Sequence, residues 1–512
     1  MLGDMQWLNR IGEEDLKVYD SILPYEDPLL DALELIHWDS FVPELESYYN
    51  RDYGQPARFV LIMLKLEFLR YFYRLSDREV IARSKTDLLF RWFLQLPLRG
   101  RLPDPSLLTR FRGRLGAEGF KKIFDRLVEM AREENLIKDR LRLKDATHVI
   151  ANIAVPHTLK LLAQLREKML DAVAVVDLEA AEGFEIEADR IREQTEKAKP
   201  AEKLSIRVGL IQDILGWIVG QELSRDDFRW EKLEGVRQLA EKILNDQANP
   251  DQGNRTLSVV DPDARRGKHG EWYEGYVVDV MMDADSELIT SIEVLPAGGD
   301  EAKDAINLVR QEQERHGNQI EQVSIDGAGF NGPMLREFKE LNVEVYTPPK
   351  REVARDVYGP EAFTKSTDGA SVTCPAGQQS KYKQKDKRNA TIYRFKRIDC
   401  ESCPLRSLCK PTLGKGPFGR SVTKNDYELE YAAARARAET PEYKAIRHEH
   451  PAIERKLGEL TNRHCGRHAQ YWGHQKLRLQ ETMACFAMNV KRVTKLMIEK
   501  IDAPTANLSM TN

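Results

Sequence analysis

Nowhere in the 512 residues does an uninterrupted apolar run approach the ~18 residues that a membrane helix needs, which argues against a membrane-spanning class. The opening stretch, MLGDMQWLNRIGEEDLK, has acids where a secretory leader would carry a basic end and an apolar centre, so the chain reads as cytoplasmic. No sign of charge dominates, since the formal net charge is only −4, and the average by itself does not mark a polyanion binder. Cysteine is scarce, with six in all, too few for a small scaffold built on disulfides. What is present is 41% hydrophobic and 31% charged, the composition of a globular protein with a real core. At roughly 100–200 residues per domain there is room for several domains.

The charge and the cysteines are both unevenly distributed. Residues 381–420 hold twelve Lys/Arg against three Asp/Glu, and residues 447–500 hold eleven against five, together with five histidines. The acidic run DLEAAEGFEIEAD at 177–189 compensates. Two long basic regions point to a polyanion at one face rather than to evenly solvated charge. Four of the cysteines fall close together: Cys374 in CPAG, then Cys400, Cys403 and Cys409 in CESCPLRSLC. In a cytosolic chain this spacing favours one structural Zn²⁺ held by four thiolates over unrelated buried thiols. Cys465 and Cys485 lie apart, in helical context, as ordinary core residues.

Along the chain, the first 138 residues read as helical. RFVLIMLKLEFLRYFYR (58–74) is a buried helix, Ser76 and Glu79 form a capping box, and Pro97 stops a further helix. In PDPSLLTRFRGRLG, Ser106 is the expected N-cap and Arg110, Arg112 and Arg114 share a turn and a half. Short helices joined by tight turns, one carrying arginines, suit a helix-turn-helix-like DNA-binding domain. The competing reading pairs those arginines with acids of the chain itself. A strand at 139–157 comes next, then a helical insert at 158–253. Residues 254–350 follow as a core: a short strand RTLSVVDPD, a hairpin around DADSE, a helix begun by Asp300 and ended by Gly317, a strand ending at Asp326, a helix with Pro333 in its first turn, and the strand VEVYTPP. A basic, cysteine-bearing insertion spans 351–422, with Arg394 and Lys396 in its strand-like ATIYRFKRI; helices occupy 423–500, and 501–512 are a tail. The order implies an α/β sheet with helices on its faces.

Asp145 in RLKDATHVIA sits mid-strand, where aspartate is disfavoured and needs a reason. Asp326 stands where the apolar strand VSI meets a glycine turn, the strand end at which open α/β sheets place ligands. Two such acids side by side repel unless one is protonated or a divalent cation lies between them. Glu454, three residues after Pro451 at a helix start, is the third candidate; Ile453, Leu457 and Leu460 form the stripe that would dock its helix.

LKDAT, SIDGAGF and IERKLGEL, in that order, resemble the three acidic motifs of DDE transposases from bacterial insertion sequences. So do LSDREV…RWFLQL…PDPSLLTRFRGRL, DPDAR…GYVVDV and YWGHQKLRLQETMACFAMNVKRV, and the cysteine block resembles that of one branch of the group. The resemblance implies an RNase-H-like catalytic domain on a mixed five-stranded sheet, with Asp145, Asp326 and Glu454 holding two Mg²⁺ or Mn²⁺. It implies cleavage and joining of phosphodiester bonds at terminal inverted repeats and in target DNA, at the nucleoid, by a protein that is at least a dimer on DNA. Arg110, Arg112, Arg114, Arg394, Lys396, Arg447 and Arg463 are the expected DNA contacts. Many relatives carry Tyr and Arg seven and four positions before the Glu and Lys seven after it. Here those positions are Arg447, His450 and Thr461, so that either the lysine's phosphate contact is missing or Arg463 replaces it. Asp261 and Asp263 match another motif of the group, for catalysis or strand-end hydrogen bonding. The rival readings are a domesticated DNA-binding protein without catalysis, and a metal-dependent nuclease of the same fold without strand transfer.

Overall fold

The computed structural model describes residues 11–50, 60–249, 254–299, 301–350, 357–386, 389–410, 412–413, 416–464 and 466–502. Asp300 and Cys465 lie outside the described residues.

The N-terminal helices follow from their sequence with one correction. Helix Val60–Phe72 is apolar almost all round and accordingly buried. Its Lys65 ends on the Phe93 carbonyl at 3.1 Å, and burial pulls that amine down to about 8. Ser76 and Glu79 cap each other's backbone N–H groups, at 3.2 and 2.7 Å, and start helix Asp77–Thr86. Helix Pro105–Glu133 is capped by Asp104, not Ser106: the Asp104 carboxylate accepts the Ser106 N–H at 2.9 Å. Pro105, which has no N–H to offer, fits the first helical position. At Gly116 the backbone leaves the helix with φ 61°, so two helices meet there at a kink.

Among the described residues the central sheet has six strands, not five: β1 Leu141–Ile150, β2 Arg265–His269, β3 Glu271–Asp283, β4 Ile289–Pro296, β5 Gln322–Ile325 and β6 Glu344–Tyr346. Its order is β2-β3-β1-β5-β6, and β4 also pairs with β3. β3 runs antiparallel to β1, whereas β1, β5 and β6 are parallel. The strand expected in RTLSVVDPD does not form; pairing begins at Arg265. The acids there bond elsewhere, since Asp261 accepts the Tyr276 hydroxyl at 2.5 Å and Asp263 accepts the His474 N–H at 3.1 Å. Side-chain bonds of this kind compete with a ladder. They tie the segment to β3 and to the start of the C-terminal helix His474–Asp502.

That C-terminal helix joins the N-terminal helices to the sheet. Phe486 lies among Trp38, Phe41 and Phe68, with ring centroids 6.4, 5.7 and 6.5 Å away. One continuous apolar core includes Phe68, Phe120, Leu141, Leu143, Ile453, Leu460 and Phe486. A second core covers the other face of the sheet, under helices Glu301–His316 and Gly332–Glu340. Helices Thr158–Ala174, Leu178–Gln194, Pro200–Val219 and Phe228–Ala248 form the insert after β1 and bury an apolar core of their own. The cysteine-bearing segment packs strands Tyr382–Asp386, Ala390–Lys396 and Phe418–Asn425 around Phe363, Tyr393, Phe395 and Val422.

Candidate active site

Asp145 and Asp326 emerge as neighbours. The parallel register runs from Leu141 opposite Gln322 to Lys144 opposite Ile325, and the next residue on each strand is one of the two acids. The Asp145 carboxylate accepts its neighbour's N–H, from Ala146, at 2.8 Å. Asp326 is exposed and closes the 3-10 turn Gly327–Gly329 by accepting the Ala328 N–H at 3.0 Å, while the Thr347 hydroxyl donates to its carbonyl at 2.7 Å. That turn packs tightly: a Cβ at Gly329 would come within 2.9 Å of the Ile325 side chain.

Glu454 comes from helix Pro451–Arg463, whose Ile453, Leu457 and Leu460 are buried against the face of β1 that carries Asp145. The Glu454 side chain stays exposed in the first turn. Burial, and then the charges of Asp326 and Glu454, push the Asp145 carboxyl up to about 6. The three acids therefore sense one another across one site. Hard oxygen donors that repel each other in this way fit Mg²⁺ or Mn²⁺. Among the described residues no three His, Cys, Asp or Glu side chains stand ready disposed to hold a metal ion.

Behind the acids lies a polar layer that the sequence did not reveal. Arg447, at the end of helix Pro441–Glu449, donates to the Ser324 hydroxyl at 3.1 Å and the Ile325 carbonyl at 2.9 Å. His450 Nδ1 lies 3.1 Å from the same hydroxyl, and burial holds this imidazole down at about 4. Thr461 turns inward, its hydroxyl bonded to the Leu457 carbonyl at 3.0 Å, while Arg463 is exposed.

The remaining basic residues separate by burial. Arg112 is only 8% exposed and donates to Glu67 at 2.6 Å and to Asp77 at 2.5 Å. As a DNA contact it is therefore corrected: the intramolecular alternative describes it. The sequence hid this because Glu67 and Asp77 lie on other helices. Arg110 and Arg114 are exposed, the latter 4.4 Å from the Tyr49 ring. Arg394 lies half-buried 5.2 Å from the Phe418 ring, and Lys396 is exposed.

The four cysteines do converge. Cys374, Cys400, Cys403 and Cys409 line a cavity of ≈ 30 Å³ with Phe363, Phe395 and Arg420. Burial and the three other sulfurs raise the Cys409 thiol, although Arg420 opposes them. The Cys400 sulfur accepts the Arg420 N–H at 3.4 Å.

A mixed sheet flanked by helices thus carries Asp145 in the middle of one strand and Asp326 just past the end of its parallel neighbour. Residues 17–114 match a family described as Transposase domain (DUF772), and residues 373–494 one described as Transposase DDE domain. The two matches, one toward each end, make the chain similar to transposases of the DDE kind. Glu454 and the four cysteines fall within the second match; Asp145 and Asp326 lie between the two. The chain is 28% identical over 114 residues to "Uncharacterized protein ORF8 in nfe locus" of Rhizobium meliloti, which is 22% of this chain. It spans about half, 55%, of that relative. The cryo-EM structure of a piggyBac transposase synaptic complex with hairpin DNA aligns at TM-score 0.28 and 10% identity, over 94% of this chain and 83% of that one. At that score the likeness carries no weight.

Proposed function

We propose that this chain cleaves DNA at the ends of its own insertion element and joins those ends to target DNA, using Asp145, Asp326 and Glu454 as one catalytic cluster on an RNase-H-like sheet. The observation that carries the reading is the register of β1 and β5, which makes Asp145 and Asp326 adjacent rungs, with Glu454 near enough to raise the Asp145 carboxyl. The order β4-β3-β1-β5-β6, with β3 antiparallel, supports the RNase-H-like assignment. The carboxylates would hold two Mg²⁺ or Mn²⁺, which when bound supply charge for an in-line phosphodiester displacement. The chain's own part is positional. β1 and β5 hold two acids rigidly, the Pro451–Arg463 helix brings the third, and the backbone N–H groups of Ala146 and Ala328 orient the carboxylates.

Double-stranded DNA is the partner, as element ends and as target, engaged by a dimer. Exposed Arg110, Arg114, Lys396 and Arg463, with half-buried Arg394, form its candidate contacts. One Zn²⁺ held by Cys374, Cys400, Cys403 and Cys409 would fasten the basic insertion. Residues 1–138 act in DNA recognition, and 139–157, 254–350 and 423–500 make up the catalytic domain around the insert at 158–253 and the insertion at 351–422.

Labelled terminal-repeat DNA, a supercoiled target and Mg²⁺ form the test. Covalent joining of label to target is expected. Cleavage without joining would leave a nuclease, and specific binding without cleavage would leave a DNA-binding protein.

A further inference from the structure

Arg447 stands out by where it is fixed, on the residue directly before Asp326. Several arginines withdrawn from water close ion pairs with carboxylates, Arg70 with Asp77 at 3.0 Å, Arg112 with Glu67 at 2.6 Å and Arg142 with Glu312 at 2.7 Å, whereas buried Arg91 and Arg265 bond backbone carbonyls, of Gly100 at 3.0 Å and Ala264 at 2.8 Å, away from the acid cluster. Arg447 is half-buried, yet its hydrogen bonds go to neutral groups, the Ser324 hydroxyl and the Ile325 carbonyl. Both groups belong to the last two residues of β5, directly before Asp326. Ser324 is fully buried, and His450 Nδ1 holds its hydroxyl from the other side. The guanidinium is thus fixed at the root of the acid-bearing strand end. Its charge is felt there by Asp326, Glu454 and Asp145 together.

A desolvated guanidinium without a carboxylate partner of its own is costly, and so are three carboxylates gathered with no cation among them. Each arrangement supplies what the other lacks. We propose that Arg447 is the built-in counter-cation of the acid cluster, a positioning residue that anchors the end of β5 and balances Asp145, Asp326 and Glu454 while no divalent cation is bound. The inference rests on reading the three acids as one cation-binding cluster. It assigns Arg447 an intramolecular task in place of a DNA contact. It also predicts antagonism: once divalent cations neutralise the acids, the guanidinium becomes a neighbouring like charge. Arg447 should therefore stabilise the metal-free protein more than the metal-loaded one.

Thermal melting of the full chain tests this, in EDTA and in Mg²⁺, for wild type, Arg447→Met, Asp326→Asn and the double variant. Arg447→Met is expected to melt a few degrees lower in EDTA. The loss should shrink in Mg²⁺, and in EDTA it should shrink again when Asp326→Asn is added. Arg447→Lys, which keeps the charge but not the paired hydrogen bonds, should retain the coupling to Asp326 if Arg447→Met fails to fold. Additive losses, equal in EDTA and Mg²⁺, would reduce Arg447 to a structural hydrogen-bond donor and overturn the proposal. So would an unchanged melting temperature combined with weaker DNA binding and a flatter salt slope, the signature of a phosphate contact. If Mg²⁺ leaves wild-type melting untouched, the metal reading of the acids fails, and the cycle in EDTA still decides the role of Arg447.

Discussion

β1 handles charge in opposite ways on its two faces. On the face with Leu141, Leu143 and Val149, Asp145 stands beside two further acids with no carboxylate-paired cation between them. On the reverse face, Arg142 is fully buried and bonds Glu312, Asp283 and Asp139, each at 2.7 Å. Arg132, from the N-terminal helices, joins the same Glu312 at 2.8 Å. Next along, buried Lys144 meets buried Asp279 at 2.9 Å. Charge that serves the architecture is neutralised inside the chain by acids from β3, helix Glu301–His316 and the 139 turn. On the acid face, burial first and then the charges of Asp326 and Glu454 raise the Asp145 carboxyl. The two faces thus differ in pairing rather than in the direction of the shift, since burial raises Asp279 and Asp283 as well.

The sharpest way to break that contrast is to remove charge from the acid face. Asp145→Asn, Asp326→Asn and Glu454→Gln should each lower DNA cleavage by more than the ~10–100-fold that outer-layer partners of a metal cost. Their metal-free melting temperatures should hold or rise, because repulsion is relieved. Full cleavage in Mg²⁺ by any one of them would remove that residue from the site.

Cys400→Ser or Cys403→Ser should lose about one zinc per chain and expose residues 374–410 to protease, since a structural zinc contributes local folding energy. Zinc-free wild type, purified without chelator, would end that assignment. On the reverse face of β1, Arg142→Met should destabilise the protein by ~3–5 kcal/mol, because it leaves Asp283 buried without its cation and Glu312 with Arg132 alone. Denaturant midpoints measure this, and an unchanged midpoint would show the two faces to be alike.

A further buried charge sharpens the comparison. Glu481 on the C-terminal helix is fully buried, bonded by Gln480 Nε2 at 2.9 Å, and burial pushes its carboxyl up to about 8. The folded state therefore holds a proton that the unfolded chain releases near its ordinary value. This contribution is complete below pH ~4.5 and fades as pH rises toward about 8, by at most ~1.4 kcal/mol per unit. Glu481→Gln should flatten that slope in melts from pH 5 to 8; an unaltered slope would mean the carboxyl is ionised in the fold. The smallest stability effect is expected at exposed Arg110. Arg110→Ala should stay within ~0.5 kcal/mol of wild type in stability. If Arg110 reads a base, its loss should cost ~1–3 kcal/mol on cognate DNA ends. Binding isotherms on cognate and scrambled ends distinguish this from a residue that touches no DNA.

Much of the layout was legible in the residues. The Ser76–Glu79 cap, the β3–β4 hairpin, Pro451 at a helix start and the Ile453, Leu457, Leu460 stripe all depend on spacings of a few residues. Ser106 was misplaced as a cap because Asp104 and Pro105 just before it compete better for the same turn. The RTLSVVDPD strand was misjudged because Asp261 and Asp263 find distant hydrogen-bond partners that its apolar pattern does not disclose.

The sequence alone determined which residues could matter: an aspartate in mid-strand, another at a strand end, a glutamate in the first turn of a helix, four closely spaced cysteines, and basic runs on a nearly neutral chain. Local spacing and residue chemistry carry that information. Only the tertiary structure decided that Asp145 and Asp326 are adjacent rungs, that Cys374 shares a cavity with the other three cysteines, that Arg112 is occupied by Glu67 and Asp77, and that Arg447 lies at the root of β5. Each of these joins elements distant in the chain, and such pairings are set by sheet register and core packing, which no local periodicity encodes.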